Sequence, residues 1–454
     1  MGGHVIFSHY RYFDELLDAG LGGSGSKQWN TLQRVSYVWI KGRWVAYPFQ
    51  NNIAALPKDD QAVCLSGLAQ AAVVNSSART PPSNFDEWTM RAFGAGIADL
   101  FMRPYNFKVW ACPLATMQCG WLGERVATVD IGRAITNVIH GREDAGWGPN
   151  AVFRFPKAGG TGAIWKGVAE KCVPAERQRY GPENEVVGLD LEGRTVTLAS
   201  GTAIQYGSLL TTAPLDLTLG MAGRSDLANG LVYSSTHIVG VGIRGACPHG
   251  SKCWLYFPED DCPFYRATVF SNYAEGNCPG VDVELETLCL GGGAVASDTT
   301  SIHPGPYWSL MFEVSESTAH KPVDLSPVTI GSHTWPAIVL KTLEGAVTTG
   351  LIQPNDEIVS LYHRRLERGY PTPSLGRDAA LDKALSYLQQ AGVWSRGRFG
   401  SWKYEVGNQD HSMMLGVEAA DNILLGTPEL TLRHPNIVNK AKNEELRWCC
   451  EENK

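Results

Sequence analysis

The sequence lacks several features that would place a protein quickly in a class. Its 454 residues include eleven cysteines, an odd number, and no two of them have the C-x-x-C spacing of a zinc or redox site. No run approaches the roughly 18 apolar residues of a membrane span, and residues 1–9 have no basic segment followed by an apolar one. We therefore expect a cytoplasmic protein from a reducing compartment, with no bound metal and no membrane contact.

An excess of basic charge is also lacking. Lys and Arg number 39 against 46 Asp and Glu, which gives a net charge of −7. This balance excludes a general binder of nucleic acid or anionic membranes, so any anion must be recognised by local arginines. With 44% hydrophobic and 19% charged residues, the chain is long enough for two or three domains with sizeable cores.

The first half of the chain combines a hairpin pattern with a helical one. Two short apolar runs, 34–40 and 43–47, are separated by two turn residues, which predicts a β-hairpin. From 51 to about 126 the apolar residues recur at helical spacing, and Asn84 followed by Glu87 forms a capping-box signature. We expect a compact helical region there.

The second half begins with α/β patterns and continues as a sheet. A strand is predicted at 151–155, a helix ending near Lys171, and a further strand at 208–213. Five β-branched and aromatic runs then predict a second sheet: 231–245, 253–257, 264–271, 307–315 and 356–364. The segment 271–306 is rich in Gly, Ser, Thr and Asp and is predicted to be a long surface loop. Two closing helices are predicted at 379–392 and 410–425, the second ended by Gly426.

Glycine motifs in three places could suggest a nucleotide cradle. The run 20–25 follows a helix-like segment and the run 240–245 lies in a strand pattern, so neither has the strand before and helix after that a dinucleotide fingerprint needs. Residues 159–162 do lie between a strand and a helix. Their backbone N–H groups could face an anion or allow close packing, and the sequence leaves both readings open.

Arginines, aromatics and amides are concentrated in a few segments. Aromatic faces suit stacking on a base, amides suit its edge, and Arg forks with Tyr hydroxyls suit phosphate oxygens, which together is what a nucleoside diphosphate needs. Taken singly, each Trp or Tyr is better explained by the core and each Arg by a surface ion pair. The segments are 47–52, 101–110, 121–125, 147–150, 254–256, 264–266, 370–373 and 396–411.

Together with 4–9 and 257–266, these segments resemble those of eukaryotic (fungal-type) UDP-galactopyranose mutases. The similarity runs from Gly2 to about His434, and the insert 275–305 and the tail match poorly. The resemblance implies an isomerase that interconverts UDP-galactopyranose and UDP-galactofuranose without net oxidation and supplies galactofuranose for cell-wall and cell-surface glycans. It also implies reduced FAD as the nucleophile and NADPH as the reductant. Homo-oligomers are common in the family.

The resemblance also implies roles for individual residues. Near the sugar it places Arg125, Asn150 and Asn408, with Arg398 as a further active-site arginine, and around the diphosphate it places Arg266, Tyr256, Tyr370 and Tyr404. Around the uridine it places Tyr47, Phe49, Gln50, Phe101, Tyr105, Asn106 and Trp110. At the flavin and NADPH it places Gly3, His4, Arg34, Ser36 and Gln409, with the start of the last helix facing the flavin ring.

The implied fold is mixed α/β, with a Rossmann-like FAD-binding domain, a helical-bundle domain and an antiparallel-sheet domain. We expect the flavin domain at 1–28, 150–228 and 395–454, the helical domain at 51–149, and the sheet domain at 29–50 and 229–394. In the family, a βαβ unit bearing the glycine fingerprint precedes the segment that here begins at Gly2. The FAD-binding domain is therefore expected to be incomplete in the chain as given, and FAD binding and activity to be weak.

Two alternatives remain at this point. One is a non-catalytic relative that binds UDP-sugars without flavin, and the other is an enzyme of the flavin amine oxidase type. A flavin absorbance spectrum of the purified protein distinguishes the first from a mutase. The second is less consistent with the arginines, because a diphosphate needs them and an amine does not.

Overall fold

The computed structural model describes residues 3–25, 27–77, 79–144, 151–293 and 302–439. Within these ranges no helix is both long enough and apolar enough to cross a bilayer. The α-helices are Arg11–Leu21 (α1), Lys58–Ser77 (α2), Phe85–Ile97 (α3), Arg103–Trp110 (α4), Ile131–His140 (α5), Gly160–Cys172 (α6), Leu215–Met221 (α7), Ala337–Thr348 (α8), Arg377–Gln390 (α9), Gln409–Leu425 (α10), Leu430–Arg433 (α11) and Pro435–Val438 (α12).

The strands are interspersed with these helices along the chain, and several of them follow one another directly. They are Trp29–Gln33 (β1), Ser36–Ile40 (β2), Arg43–Ala46 (β3), Val152–Pro156 (β4), Val186–Asp190 (β5), Thr195–Leu198 (β6), Ala203–Gln205 (β7), Leu209–Thr211 (β8), Val232–Arg244 (β9), Trp254–Tyr256 (β10), Arg266–Val269 (β11), Leu285–Glu286 (β12), Cys289–Leu290 (β13), Ile302–His303 (β14), Tyr307–Glu316 (β15), Pro327–Ile330 (β16), His333–Pro336 (β17), Glu357–Thr372 (β18) and Val393–Ser395 (β19). Elements of both kinds share the chain, as a mixed α/β fold requires.

The largest sheet has eight strands in the order β13-β18-β9-β15-β11-β10-β2-β3. All neighbours are antiparallel except β10 and β2. Because side chains alternate along a strand, Val239, Val241 and Ile243 of β9 reach the same face, where they pack with the apolar side of α8 in a buried core. This sheet contains all five of the strands predicted from the apolar runs.

The predicted hairpin is confirmed and forms the edge of this sheet. Strands β2 and β3 pair antiparallel, with Ile40 opposite Arg43. Lys41 and Gly42 both have positive φ, 53° and 68°. Two positive φ values in a two-residue loop are typical of a type I′ turn, whose twist matches that of the strands it joins.

The predicted helical region is also confirmed, and glycines allow its helices to touch. Asn84 caps α3 by accepting a hydrogen bond from the Glu87 N–H at 2.9 Å. The Glu87 carboxylate bonds Ser83 instead of the Asn84 N–H, so only half of a capping box forms. A Cβ on Gly94 would lie 2.0 Å from the carbonyl oxygen of Gly67, so α2 and α3 meet backbone to backbone there.

Smaller sheets and α10 make up the third part of the molecule. Strand β1 pairs antiparallel with β4, and β8 pairs parallel with β19. Helices α1 and α6 and the long helix α10 share an apolar core that includes Phe13, Ile164 and Met414. Gly426 ends α10 in the left-handed conformation, as predicted.

The glycine runs lie where the sequence analysis placed them. Gly22 is the left-handed C-cap of α1, and Gly240 and Gly242 lie inside β9, so neither run forms a dinucleotide cradle. Gly159 precedes α6 and Gly160 is its first residue, with φ of 71° and 58°.

The prediction of one long surface loop at 271–306 is wrong for part of that segment. Cys289 is fully buried, and its strand β13 pairs with β18 at the edge of the large sheet. The Gly- and Ser-rich composition concealed this two-residue strand, because a strand this short has no periodicity to detect. Helix α8 and strand β1 were likewise not predicted.

Candidate active site

Three aromatic rings form a stack between the hairpin and the helical region. The Phe49 ring, in a 3₁₀ turn directly after β3, stacks on Phe101 with centroids 4.6 Å apart. Phe101 stacks in turn on Tyr105, with centroids 5.1 Å apart and planes 8° from parallel. Phe101 and Tyr105 are four residues apart and therefore lie on one face of the helical segment. The stack provides flat apolar surface suited to a base.

Tyr256 connects this stack to a second pair of side chains. Its ring lies 5.7 Å from Tyr105 and 4.8 Å from Tyr47. The Tyr256 hydroxyl accepts a hydrogen bond from Arg34 Nη2 at 3.1 Å, and the Arg34 guanidinium lies 5.2 Å from the Tyr47 ring centroid. Burial raises the pKa of both Tyr47 and Tyr105, so both hydroxyls keep their protons at neutral pH.

A partly buried arginine, Arg266, lies beside the tyrosines, with 23% of its side chain exposed. Arg266 binds Glu313 with both Nε and Nη2, at distances of 2.6 to 3.1 Å. Burial acts to lower the pKa of Arg266, but Glu313 together with Tyr370, Tyr265 and Tyr256 more than offsets this effect, so the pKa lies well above the ordinary value. Tyr265 also donates to Glu313, at 2.5 Å. Among the described contacts Arg266 Nη1 makes no hydrogen bond to protein, so it remains available to an anion.

The N-terminal segment reaches the same strands. A Cβ on Gly3 would lie 2.9 Å from Met311 Cε and 3.2 Å from Thr268 Oγ1, so the backbone passes close to β11 and β15, and a larger residue would require these side chains to shift. Burial acts to raise the pKa of Glu313, but Arg266 and Tyr265 outweigh it, and His4 adds a smaller lowering effect, so the pKa lies below its ordinary value. Gly3 and His4 therefore lie close to the Arg266–Glu313 pair.

Two further arginines contact one tyrosine ring. The guanidinium carbons of Arg125 and Arg398 lie 4.7 and 5.3 Å from the centroid of Tyr404. Arg398 also lies 4.8 Å from Tyr370, and Arg125 Nη1 donates to Asn408 Oδ1 at 3.3 Å. Two cations that converge on one ring create a local positive potential in a protein of net negative charge.

The helical region and the C-terminal segment meet at Trp110. Its ring lies 4.8 Å from Tyr404 and 5.7 Å from Tyr370, in edge-on contact with both. Tyr404 in turn raises the pKa of Tyr47, after the larger effects of burial and Tyr256. The group of side chains around Tyr47 and the group around Tyr404 therefore lie close enough to interact electrostatically, although they come from widely separated parts of the sequence.

The start of α10 carries polar groups next to this cluster. Gln409 accepts a hydrogen bond from Trp165 Nε1 at 3.1 Å. Asp410 accepts from the His9 N–H at 2.9 Å and lies 2.7 Å from His9 Nδ1. His411 is fully buried, neither of its ring nitrogens has a hydrogen bond within the described ranges, and burial lowers its pKa to about 4. The ring of His411 is therefore neutral at pH 7.

The side chains of His9, Asp410 and His411 are the group in the described part of the chain that could hold a metal ion, because their ligand atoms all lie within 4.8 Å of one another. Asp410 is already committed to His9 by two contacts, and its pKa is lowered because His411 and His9 outweigh the effect of burial. We interpret the group as a buried ion pair that holds residues 8–10 against α10.

The remaining predicted residues make contacts of other kinds. Gln50 donates to the Ala127 carbonyl and Asn106 to the Met102 carbonyl within its own helix, so part of each amide is committed to backbone. The Ser36 hydroxyl is buried without a hydrogen bond among the described residues. Asn150 lies outside the described residues.

Sequence reasoning assigned no role to several side chains that the structure places in or beside the cluster: Glu313, Tyr265, Trp254, Glu405, Asp410 and His411. Asp410 and His411 could have been found by their position directly after Gln409, and Tyr265 by its position before Arg266. Glu313 and Glu405 carry no local signal.

Comparison with known proteins gives the family. No protein-family model matches the chain. A crystal structure of reduced UDP-galactopyranose mutase superposes with a TM-score of 0.86 at 44% sequence identity, covering 97% of this chain and 86% of that one. A putative protoporphyrinogen oxidase from Exiguobacterium sp. 255-15 superposes with a TM-score of 0.57 at 11% identity over 91% of this chain and 86% of that one, a likeness of fold alone. At 44% identity over nearly its whole length, the chain belongs to the UDP-galactopyranose mutase family.

Proposed function

We propose that this chain is a flavin-dependent mutase that interconverts UDP-galactopyranose and UDP-galactofuranose with no net oxidation. The observation that carries the proposal is the convergence of Arg125 and Arg398 on the ring of Tyr404, beside a partly buried Arg266. Three arginines in one aromatic cluster suit a diphosphate, and an amine substrate has no use for them.

The substrate lies along the cluster with its uridine at the aromatic stack. Phe49, Phe101 and Tyr105 supply the faces for the base, and its edge and ribose meet Tyr47, Gln50, Asn106 and Trp110. Arg266 and the hydroxyls of Tyr256, Tyr370 and Tyr404 hold the diphosphate. Arg125, Arg398 and Asn408 lie toward the sugar, as does Asn150 outside the described residues. This arrangement is supported by the ring contacts of 4.6 to 5.7 Å that join the aromatic members of the set.

The side chains of Gln409 and His411 at the start of α10 provide polar groups that fit the ring of a flavin. His411 is buried with no hydrogen bond to either ring nitrogen among the described residues, which is costly unless a further group binds there. The positive end of the 17-residue helix α10 favours negative charge, which a reduced flavin ring carries. Gln409 and His411 hold the ring from this side, and Gly3 and His4 approach from the sheet.

When bound in its reduced form, the flavin supplies the nucleophile for the anomeric carbon of the sugar. The protein's part is electrostatic. UDP leaves with additional negative charge, which Arg125, Arg266 and Arg398 stabilise without reorganising. Because burial raises the pKa of Tyr370, its hydroxyl stays protonated and can donate to a phosphate oxygen at neutral pH.

Further details follow from the resemblance to eukaryotic, fungal-type members of the family. NADPH reduces the flavin and contacts Arg34 and Ser36, and the product supplies galactofuranose for cell-surface glycans. A cytoplasmic location is supported by nine free cysteines among the described residues, four of them not fully buried. Homo-oligomerisation stays a prediction.

The test is a turnover assay on the purified chain. Because FAD binding by the chain as given is expected to be weak, FAD is added in excess and reduced with dithionite. We then expect interconversion of the two UDP-galactoses, with far less than one equivalent of reductant consumed per product. Arg398→Lys keeps the charge but loses the planar fork and should lower kcat. A chain with bound, reduced flavin that produces neither UDP-sugar from the other would overturn the proposal.

A further inference from the structure

A buried ion pair lies directly behind the proposed substrate residues. Arg377, the first residue of α9, has a side chain only 1% exposed, and its guanidinium donates to both carboxylate oxygens of Glu405 at 2.7 and 2.8 Å. Glu405 is in the 3₁₀ turn Tyr404–Val406, and its side chain is 7% exposed. The pair therefore joins α9 to the turn that carries Tyr404.

The position of Arg377 is unfavourable unless the pair forms. A cation at a helix N-terminus opposes the helix dipole, and a fully buried guanidinium loses its hydration. Two carboxylates offset this cost. Asp378 accepts a hydrogen bond from Arg377 Nε at 2.9 Å, and Glu405 accepts the two further bonds described above. A planar bidentate pair has one good geometry, so it fixes the turn more rigidly than a single hydrogen bond.

Arg125 is held by the backbone of the same turn. The carbonyl oxygen of Glu405 accepts a hydrogen bond from Arg125 Nη2 at 2.9 Å. Arg125 Nη1 reaches Asn408, and the guanidinium lies over Tyr404. Both described hydrogen bonds of the Arg125 side chain therefore go to residues 405–408, and a shift of this turn would move the Arg125 side chain and Tyr404 together.

Helix α9 is itself anchored to the segment that precedes Arg125. Gln118 donates to Asp378 Oδ2 at 3.0 Å, and the N–H of Gln118 donates to the Pro373 carbonyl at 2.9 Å. The N–H of Leu375 donates to the Thr116 carbonyl at 3.1 Å. The start of α9, the 404–406 turn and the chain around Arg125 form a closed set of contacts.

We propose that Arg377 and Glu405 are positioning residues of the sugar-nucleotide site. Neither side chain contacts the substrate. The ion pair fixes the 404–406 turn, so that Tyr404 and Arg125 already have their binding geometry before UDP arrives. This inference rests on the proposed function, because it assigns the two positioned side chains to substrate binding.

The experiment uses the full flavin-bound chain and two conservative variants. Arg377→Lys keeps the charge but cannot form the fork, and Glu405→Gln keeps the shape but loses the charge. The matched control is Glu429→Gln, because Glu429 forms an equally buried bidentate pair with Arg396 that touches none of the proposed substrate residues. UDP affinity is measured by calorimetry, stability by thermal unfolding, and the turn by hydrogen exchange of peptides that cover residues 403–408.

We expect both variants to weaken UDP binding about tenfold, the equivalent of one disrupted buried charge contact. Exchange at the Val406 and Gly407 amides, which bond Lys403 and Tyr404, should accelerate. The control should lose comparable Tm with UDP affinity unchanged within about twofold. If the variants match the control in both affinity and exchange, the positioning role is overturned. A wild-type chain that binds no UDP would instead overturn the proposed function, and the exchange result would still decide whether the pair holds the turn.

Discussion

Arg266 and Glu313 lie directly opposite each other on neighbouring antiparallel strands of the large sheet, and their side chains form a bidentate ion pair. The carboxylate thus neutralises the arginine that is proposed to bind the diphosphate. The pair stabilises the buried Glu313 carboxylate and the partly buried Arg266 when no substrate is bound, but it weakens the attraction of the site for an incoming anion.

Glu313→Gln should therefore destabilise the protein and strengthen its response to UDP. Removing one partner of a buried pair should cost about 3 kcal/mol of unfolding free energy. The site gains one net positive charge, so UDP should raise the Tm of the variant by more than it raises that of the wild type. Glu357→Gln is the control, since Glu357 pairs with Arg244 in the same sheet but away from the cluster. An equal UDP-induced shift in Tm for Glu313→Gln and wild type would contradict this expectation.

The buried, neutral His411 should make stability fall in mild acid. Its pKa is lowered to about 4, chiefly by burial, whereas an unfolded histidine titrates at 6.5. Between these values the unfolded chain binds one more proton, so stability rises with pH. The contribution of His411 to the free energy of unfolding is about 3 kcal/mol, which is fully present above pH 6.5 and is lost as the pH falls to 4. Urea unfolding of His411→Gln between pH 4 and 7 should give a flatter profile than wild type, and an identical slope would show that His411 does not titrate as described.

Glu418, seven residues further along α10, should have the opposite effect. Burial raises its pKa from 4.5 to about 7, so the folded chain holds a proton that the unfolded chain releases. The contribution of Glu418 to the free energy of unfolding, again about 3 kcal/mol, is fully present below pH 4.5 and is lost as the pH rises through 7. We expect Glu418→Gln to gain stability relative to wild type as pH rises from 5 to 8. Because the carboxylate also accepts two hydrogen bonds from Thr431, the measured quantity is this change with pH and not the absolute difference.

Gly94→Ala should disrupt the contact between α2 and α3. Gly94 has a φ of 69°, and an added Cβ would lie 2.0 Å from the Gly67 carbonyl oxygen. Backbone strain and overpacking together should cost about 3 kcal/mol. Gly141→Ala is the reference for a positive φ without a clash, because Gly141 is left-handed, with a φ of 61° and a ψ of 36°, and no described atom lies within 4 Å of the added Cβ. The control should lose about 1 kcal/mol by thermal unfolding. Equal losses for the two variants would mean that neither the close contact nor the ψ of 173° at Gly94 adds to the cost of a positive φ.

Local patterns in the sequence were enough to find much of the secondary structure. The hairpin turn at Lys41 and Gly42, the cap at Asn84 and the stop at Gly426 were all predicted from residues that lie side by side in the chain. Their conformations depend on steric preferences and hydrogen bonds within a few residues, which is why composition and spacing reveal them. Strand β13 was missed because two residues show no periodicity, and its pairing partner in β18, about 70 residues away, leaves no local signal in the sequence.

The candidate site, too, was predicted in part from the sequence and in part only revealed by the tertiary structure. Segments rich in Arg, Tyr and Trp were visible in the sequence, and their resemblance to one family pointed to a sugar nucleotide. The partners of those residues were not visible. Glu313 is 47 residues from Arg266, Glu405 is 28 from Arg377, and Asp410 is 401 from His9.

The sequence by itself therefore determined the class of the fold, the local elements and the kinds of side chain available for binding. Only the tertiary structure decided which cation is neutralised by which carboxylate, and which tyrosine lies between two arginines. The physical reason is that pairing across a sheet depends on strand register, and burial depends on what packs against a residue. Neither quantity is encoded in the neighbouring residues of the chain.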